Sequence, residues 1–257
     1  MENNLPLTTT NLVIGYKGKK PVKIAGPLNF NILQGKLYGL IGINGIGKST
    51  LIKTLSGLLP PFNGQILING QDIFSLNFNE RAKFISLVLT DRINAGLATV
   101  EEIVRMGRFP YTNWQFSLSN ADQEIVAEAL NSVELLDKKE ALFNELSDGN
   151  KQKVMIAKAL AQDTPVLILD EPTVHLDIKN RFIILQLLQK LAKEYQKTIL
   201  FSGHDLDYML KFCNQIMLMT PNKLSIETPE TLVKTGAISL AFDMDANKMQ
   251  GLNIFNN

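Results

Sequence analysis

A glycine-rich segment that runs into a lysine and a serine is the first part of this sequence whose residue types could do chemistry. Residues 42–49 read Gly-Ile-Asn-Gly-Ile-Gly-Lys-Ser, which matches the pattern G-x-x-x-x-G-K-[ST] between an apolar run and an amphipathic one. In such a loop the backbone N–H groups point inward at phosphate groups, assisted by the N-terminus of the next helix. We therefore expect nucleotide phosphates here, with Lys48 at the β- and γ-phosphates and the Ser49 hydroxyl on Mg²⁺. The expected contacts in this phosphate loop are Asn44, Gly45, Gly47, Lys48, Ser49 and Thr50.

A second candidate group is the pair of acids Asp170 and Glu171, which follows an apolar run at 166–169. An acid at the carboxyl end of a parallel strand faces the crevice in which such sheets bind ligands. We expect Asp170 to hold Mg²⁺ through its water shell and Glu171 to polarise an attacking water. The alternative is a solvent-facing acidic pair at a strand end, which the phosphate loop in the same chain disfavours.

The patterns around these residues predict the scaffold that must position them. Buried strands are predicted at 37–43, 166–170 and 198–202, and helices at 48–58 and 179–197. Because strands and helices alternate along this part of the chain, we expect a parallel sheet with helices on its faces.

Two regions near the N-terminus depart from that alternation. Residues 5–35 and 62–74 have the composition of short strands separated by turns. The dipeptides Asn63-Gly64 and Asn69-Gly70 are typical hairpin signals. We expect an antiparallel piece here, next to the parallel sheet.

A helical segment and a C-terminal extension complete the predicted organisation. Residues 98–160 are predicted to be mostly helical, with Thr99 and Ser119 as N-caps. A strand at 224–227 is followed by the helix start Thr-Pro-Glu, and the sequence leaves the role of 241–257 open.

Composition limits the classes of protein to be considered. The 257 residues include 26 Lys and Arg against 25 Asp and Glu, so the balance gives no electrostatic reason to expect nucleic-acid binding. Cys213 is the one cysteine, so no internal disulfide can form. The N-terminus does not have the pattern of a secretory signal, and no apolar run is long enough to span a bilayer. We expect a soluble cytoplasmic chain whose membrane part, if any, belongs to a partner.

Five motifs give the chain a resemblance, over nearly its whole length, to the ATP-binding-cassette (ABC) family. After the phosphate loop come Leu-Ser-Asp-Gly-Asn-Lys-Gln-Lys at 146–153, Leu-Asp-Glu-Pro at 169–172, Val-His-Leu-Asp at 174–177 and Ser-Gly-His-Asp at 202–205. They occur in the order and approximate spacing of that family. The resemblance implies an α/β fold with a P-loop NTPase (RecA-like) core, an N-terminal antiparallel β subdomain and a helical insert at about 98–160. It also implies one ATP-binding domain over residues 1–257, with ATP and Mg²⁺ as cofactors.

The resemblance further assigns roles at a dimer interface. Ser147 and Gly149 open a helix and can form an anion site, which in the family closes on the γ-phosphate bound to the opposite copy. The implied active unit is a head-to-tail homodimer with two ATP molecules. Asp177 is expected to contact across that interface, and His204 to touch the γ-phosphate and hold the attacking water. Tyr16 matches the aromatic residue that stacks on adenine.

Two departures from the family pattern bear on activity. Thr90 stands where the family has a glutamine that touches Mg²⁺ and senses the membrane partner, and the threonine side chain is shorter. In the signature motif at 146–153, Asp148 replaces the second glycine and Asn150 replaces glutamine. An acid near the incoming γ-phosphate is repulsive unless its side chain turns away, so slower catalysis is expected.

The segment Gly-Arg-Phe-Pro-Tyr at 107–111 resembles the Gly-Arg-x-Pro-Tyr stretch of importers for iron–siderophore, haem and cobalamin. Its composition predicts a helix that ends at Gly107, followed by an aromatic turn with Pro110, Tyr111 and Trp114. The resemblance implies a surface that receives a coupling helix of a membrane subunit. The alternative is a packed surface loop.

The function implied is the ATPase subunit of a bacterial importer for a metal chelate. Such a subunit lies at the cytoplasmic face of the plasma membrane, with transmembrane permease subunits and a substrate-binding protein as partners. A soluble non-transport cassette, such as an iron–sulfur assembly factor, is the main alternative. A DNA-repair cassette is less favoured because there is no long coiled-coil insertion and no basic stripe. An inactive regulator would account for Thr90 and Asp148 but not for the intact Lys48, Asp170, Glu171 and His204.

Overall fold

The computed structural model describes residues 6–90, 93, 95–112, 117–221 and 223–243. Its strands are β1 (Leu7–Tyr16), β2 (Val22–Ile32), β3 (Leu37–Ile41), β4 (Asn63–Ile68), β5 (Gln71–Asp72), β6 (Ile85–Val88), β7 (Val166–Leu169), β8 (Thr198–Ser202), β9 (Gln215–Met219) and β10 (Leu224–Glu227). Its α-helices are α1 (Lys48–Leu55), α2 (Phe78–Arg81), α3 (Val100–Arg105), α4 (Asn120–Ser132), α5 (Asp148–Ala161), α6 (Ile178–Glu194), α7 (Leu206–Phe212), α8 (Pro229–Lys234) and α9 (Ala237–Phe242). The predictions for Trp114 and for residues 244–257 lie outside the described residues.

Two sheets form the framework, as the α/β prediction required. The larger has the strand order β10-β9-β3-β8-β7-β6, in which only the β10–β9 pair among the described strands is antiparallel. The smaller sheet, β2-β1-β4-β5, is antiparallel throughout. The P-loop core, the antiparallel N-terminal subdomain and the helical insert are therefore confirmed.

The central strands of the parallel sheet end side by side. β3, β7 and β8 are buried along their whole length, which explains their continuous apolar runs. In the register of the sheet, Leu40 pairs with Ser202 and Leu169 pairs with Phe201. The segments that follow β3, β7 and β8 therefore leave the sheet at one edge, where parallel α/β sheets bind ligands.

The two predicted hairpin turns have different outcomes. Asn69 and Gly70 both have positive φ, +47° and +79°, and join β4 to β5 as a primed turn requires. The turn predicted at Asn63-Gly64 is wrong, because these residues begin β4. Gly64 (φ +84°) lies against β1 so closely that a Cβ there would be 2.2 Å from the Asn11 carbonyl oxygen. The glycine is needed for that approach and not for a turn.

The helical insert contains α3, α4 and α5. Thr99 and Ser119 cap α3 and α4 through capping boxes, as predicted. The helix predicted to end at Gly107 instead ends at Arg105, and a 3₁₀ segment, Met106–Tyr111, follows it. Gly107 packs against α5, where a Cβ would lie 2.2 Å from the Lys158 carbonyl oxygen. Close packing, and not helix termination, therefore explains this glycine.

The insert and the parallel sheet share a hydrophobic core. One cluster of buried side chains includes Val104 and Leu130 of the insert together with Leu167 and Phe201 of the sheet. None of the helices in the described part of the chain is long and apolar enough to cross a membrane.

Candidate nucleotide site

The phosphate loop connects β3 to α1, as the sequence predicts. Gly45 and Gly47 have φ values of +76° and +110°, a backbone that side chains other than glycine rarely adopt. Gly47 also lies against the antiparallel sheet, where a Cβ would be 2.4 Å from Ile24 Cγ2. The helix is anchored by its buried side chains, among them Leu51 and Leu55, which belong to a core cluster shared with both sheets. The loop is thereby held at the N-terminus of an eight-residue helix.

Lys48 lies over this loop with its side chain buried. Its Nζ donates to the carbonyl oxygens of Gly42, at 2.8 Å, and of Ile43, at 3.3 Å. Burial lowers the pKa of Lys48, while the nearby carboxylates of Glu171 and Asp170 act in the opposite direction. These three charged groups therefore lie close together, which is what a site for a metal-bound phosphate requires.

The other predicted loop contacts differ in exposure. Asn44, Gly45 and Ser49 are exposed, whereas Thr50 is buried. Tyr16, at the end of β1, is 46% exposed, and its hydroxyl is hydrogen-bonded to Thr50 Oγ1 at 3.2 Å. This contact ties the antiparallel sheet to α1 and leaves the tyrosine ring at the surface beside the loop.

Asp170 is held on several sides at the end of β7. Ser202 Oγ donates to Asp170 Oδ1 at 2.7 Å, and the Asp170 N–H donates to the Val88 carbonyl oxygen at 2.9 Å. The Thr90 hydroxyl donates to the carbonyl oxygen of Asp170 at 2.7 Å. Thr90 therefore contacts the backbone at the acid pair and not its carboxylates, and its role toward Mg²⁺ stays a prediction.

The donors at this edge suit magnesium. The Asp170 carboxylate and the Ser49 hydroxyl are hard oxygen ligands, and Mg²⁺ binds through one or two such groups together with phosphates and water. Within the described residues no group of three or more His, Cys, Asp or Glu side chains forms an all-protein metal site. The residues therefore fit an ion that arrives with a nucleotide.

Glu171 and His204 come together as the sequence predicts. Glu171 Oε1 and His204 Nε2 are hydrogen-bonded, and the two side chains are 25% and 46% exposed. The Glu171 backbone has φ +47°, a left-handed conformation that costs a residue with a Cβ about 1–3 kcal/mol. Its N–H donates to Ser202 Oγ at 2.9 Å. Strain of this kind is typical of functional positions.

The signature residues lie at the starts of two neighbouring helices. Ser147 caps α5, with Oγ accepting from the Asn150 N–H at 3.4 Å, so it opens this helix as the sequence predicts. Asp177 caps α6 by accepting from the N–H and the side-chain amide of Asn180, at 2.7 and 3.0 Å. A Cβ on Gly149 would lie 2.4 Å from Asn180 Oδ1. Asn180 thus contacts both the signature motif and Asp177, and the sequence interpretation missed it. The spacing Asp-x-x-Asn, which is typical of a helix N-cap, could have indicated this residue.

Arg181 is a second residue that the motifs did not reveal. Its Nε donates to the Leu176 carbonyl oxygen at 2.8 Å, and its Nη1 donates to Asp205 Oδ2 at 3.0 Å. It therefore links the segment after β7 to the segment after β8. An arginine on an amphipathic helix is usually a solvated residue, so no sequence pattern indicates this role.

The segment Met106–Tyr111 is partly packed and partly exposed. Arg108 is buried, and its guanidinium donates to Asp122 Oδ1 at 2.9 Å and lies 4.0 Å from the Tyr111 ring centroid. Hydrogen bonds from Ser119, then the Arg108 contact, hold the pKa of Asp122 below its usual value. Phe109, by contrast, is 49% exposed. The segment is therefore packed at Arg108 and exposed at Phe109, and the docking surface stays a prediction.

Comparisons with known proteins agree with this geometry. The model of the family described as ABC transporter matches residues 25–174. An uncharacterized ABC transporter ATP-binding protein of Methanocaldococcus jannaschii is 38% identical over 97% of this chain and 86% of its own length. The iron(3+)-hydroxamate import ATP-binding protein FhuC of Bacillus subtilis is 37% identical over 88% of this chain and 86% of its own.

Solved structures of ABC proteins also resemble this chain. An ABC transporter assigned to the metal-chelate type, in an inward-facing conformation, has a TM-score of 0.80 at 27% identity, over 93% of this chain and 90% of that one. A dimeric ATP-binding cassette in a post-hydrolysis state, bound to ADP and Pi, has a TM-score of 0.73 at 28% identity, over 87% of this chain and 98% of that one. With its phosphate loop, acid pair and histidine at one sheet edge, the chain belongs to the ABC transporter family as an ATP-binding domain that hydrolyses ATP.

Proposed function

We propose that this chain is the Mg²⁺-dependent ATPase subunit of an importer for a metal chelate, and that it works as a pair of copies on separate permease subunits. The observation that carries the proposal is an exposed apolar groove beside the helical insert, on a chain whose sheet edge brings the phosphate loop, the acid pair and His204 together. A motor of this kind needs both a site that uses ATP and a surface that passes the resulting movement to a partner.

The residues at the sheet edge have separable tasks in hydrolysis. Lys48 neutralises charge on the β- and γ-phosphates, and Asp170 and Ser49 hold the metal ion. Magnesium, when bound, screens the phosphate oxygens and the charge that develops on them. Glu171 accepts a proton from the attacking water, and His204, hydrogen-bonded to the Glu171 carboxylate, orients that carboxylate and contacts the γ-phosphate.

Dimerisation is proposed to complete each site. Ser147 and Asp177 are exposed at the starts of α5 and α6. The backbone N–H groups at the start of α5 attract anions, and Asp177 is proposed to contact the opposite copy. In a head-to-tail pair, the signature of one copy closes on the γ-phosphate bound to the other. The dimeric ATP-binding cassettes among the structural relatives support this arrangement. We propose that residues 1–257 act in it as one domain.

The groove fits an amphipathic helix of a membrane subunit. It has a volume of about 240 Å³ and lies between α2 and the segment Met106–Tyr111. Leu58, Phe78 and Phe109 line it and are 51%, 73% and 49% exposed, and an exposed apolar patch of this kind commonly marks an interaction site. Gln162 also lines the groove, and its side-chain amide donates to the carbonyl oxygens of Ala82 and Ile85, at 2.6 and 2.9 Å. We propose that this groove receives the coupling helix, which places the chain at the cytoplasmic face of the plasma membrane.

The cargo class follows from the names of the relatives. One is an iron(3+)-hydroxamate import protein, and a second, a probable siderophore transport system ATP-binding protein of Bacillus subtilis, is 32% identical over 95% of this chain and 88% of its own length. We therefore propose an iron–siderophore or related chelate, delivered to the permease by a substrate-binding protein.

Co-purification with a candidate permease tests the docking part. The Phe78→Asp variant places a charge on the groove wall, and Leu240→Asp is the matched control because Leu240, on α9, is 84% exposed and does not line the groove. We expect the parent and Leu240→Asp to retain the permease, and Phe78→Asp to lose it while keeping its ATPase activity without a permease. Equal retention of all three proteins would contradict the groove assignment. ATP hydrolysis that never changes with a permease would favour a soluble cassette protein.

A further inference from the structure

Ser202 is a buried hydroxyl in contact with both acids of the site. It is the last residue of β8 and is 1% exposed. Its Oγ donates to Asp170 Oδ1 at 2.7 Å and accepts from the Glu171 N–H at 2.9 Å. One oxygen atom therefore joins the carboxylate assigned to the metal ion to the backbone of the residue assigned as the base.

The direction of both hydrogen bonds is fixed by chemistry. A serine hydroxyl has one proton and two lone pairs, and a backbone N–H can only donate. The proton must therefore go to the Asp170 carboxylate, and a lone pair takes the Glu171 N–H. Both bonds have good geometry, and the charge on the carboxylate strengthens the first one. The hydroxyl cannot rotate without losing one of them.

The two bonds act on different degrees of freedom. The bond to Asp170 Oδ1 fixes the rotation of that carboxylate, and with it the direction in which the second oxygen can meet a metal ion or its water. The bond to the N–H holds Glu171 in the left-handed conformation at φ +47°, from which its side chain reaches His204. β8 itself is anchored here, because the Gly203 N–H donates to the Leu40 carbonyl oxygen at 3.3 Å.

We propose that Ser202 is a positioning residue that aligns Asp170 toward Mg²⁺ and Glu171 toward water before any nucleotide binds. The inference rests on the proposed Mg²⁺-dependent hydrolysis. It assigns Ser202 no contact with nucleotide; Ser202 acts through the two acids. Groups that hold a metal-binding carboxylate from behind commonly change metal affinity or activity by a factor of 10–100 when removed.

The same strand supplies a matched control. Thr198, at the other end of β8, is fully buried, and its Oγ1 has no hydrogen-bond partner within the described residues. Thr198→Val removes a buried hydroxyl from β8 with little change of shape and without touching either acid. Ser202→Ala removes the hydroxyl under test, and Ser202→Thr keeps a hydroxyl at the same position.

Two measurements decide the question. The first is the Mg²⁺ concentration needed to strengthen binding of a fluorescent ATP analogue; we expect it to rise about tenfold or more in Ser202→Ala and to stay unchanged in Thr198→Val. The second is steady-state hydrolysis, in which kcat of Ser202→Ala is expected to fall by about 10- to 100-fold at saturating Mg²⁺ while KM for ATP is unchanged. Ser202→Thr is expected to restore both in large part. Thermal unfolding of each variant verifies that it is folded, and if Ser202→Thr does not fold, Ser202→Ala decides alone.

Different outcomes would overturn the role of Ser202 and the assigned ATPase site. Parent-like Mg²⁺ dependence and kcat in Ser202→Ala would overturn the role of Ser202, and so would an equal loss in Thr198→Val. A parent protein whose hydrolysis survives Lys48→Ala would instead count against the assigned ATPase site. In that case the Mg²⁺ titration of nucleotide binding still tests whether Ser202 aligns Asp170.

Discussion

Replacement of Glu171 by glutamine isolates the proton-accepting step from the rest of the site. Glutamine has nearly the same shape as glutamate and can remain hydrogen-bonded to His204. The bond from the residue 171 N–H to Ser202 Oγ, 2.9 Å long, belongs to the backbone and does not depend on the side chain. The bond from Ser202 to Asp170, 2.7 Å long, is likewise unaffected. Phosphate and metal binding should therefore survive, and only the base is lost.

The expected fall in kcat is the contribution of the general base alone. A positioned general base accounts for about 10²–10⁴ in rate, which corresponds to roughly 3–5 kcal/mol of transition-state stabilisation. We expect kcat for Glu171→Gln to fall by this factor with ATP affinity retained. Because the nucleotide is not consumed, ATP and Mg²⁺ should also convert the variant to a dimer, seen as a doubling of the mass by light scattering.

The assay pairs phosphate release with light scattering on the same samples. Glu194→Gln is the matched control, since this exposed acid lies at the far end of α6 and should leave both readings unchanged. Hydrolysis at the parent rate in Glu171→Gln would refute the assignment of the base. Loss of hydrolysis together with loss of ATP binding would refute the claim that this side chain is separable from the phosphate site.

Two further changes test the departure at Thr90 and the packing of the insert. Thr90→Gln removes the 2.7 Å bond to the Asp170 carbonyl oxygen and extends the side chain. It should therefore alter the rate of hydrolysis and leave ATP affinity nearly unchanged. An unaltered rate with a permease present would mean that Thr90 has no role in hydrolysis. Asp122→Asn leaves the charge of the buried Arg108 without its carboxylate counterion and should lower the free energy of unfolding by about 3–5 kcal/mol, against about 0–1 kcal/mol for Asp163→Asn in an exposed pair. Because the pKa of Asp122 is lowered in the folded protein, this stabilisation is present above the ordinary carboxyl pKa and is lost as pH falls through the lowered value, which urea unfolding at several pH values would measure. Equal denaturation midpoints for Asp122→Asn and the parent would contradict the ion-pair account.

Features that depend on neighbouring residues were predictable from the sequence. The phosphate loop needs only a strand, a few glycines and a helix start, and all of these lie within one short segment. The caps Thr99 and Ser119 each bond to a residue three positions later, so their signal is equally local. The Asn69-Gly70 turn was visible for the same reason.

Features that depend on strand order were not predictable in this way. Ser202 and Asp170 are 32 residues apart, and Arg181 and Asp205 are 24 apart. Which of these residues meet is decided by β8 lying between β3 and β7, and no local pattern states that order. Gly64 and Gly107 failed as predicted turn and helix end for a related reason. Each is a glycine because another part of the chain packs on it.

The hydroxyl residues at the two ends of β8 have different surroundings because of the order of the strands in the sheet. The strand has a hydroxyl residue at each end, Thr198 and Ser202, and an apolar stretch between them. From sequence the two hydroxyls are equivalent, since both are polar residues at the boundary of a buried strand. In the parallel sheet only the carboxyl end opens on the ligand edge. Ser202 there bonds to both acids, whereas Thr198 Oγ1, at the amino end, has no partner within the described residues. A polar residue at the carboxyl end of a buried parallel strand is therefore a candidate site residue once the strand's neighbours in the sheet are known.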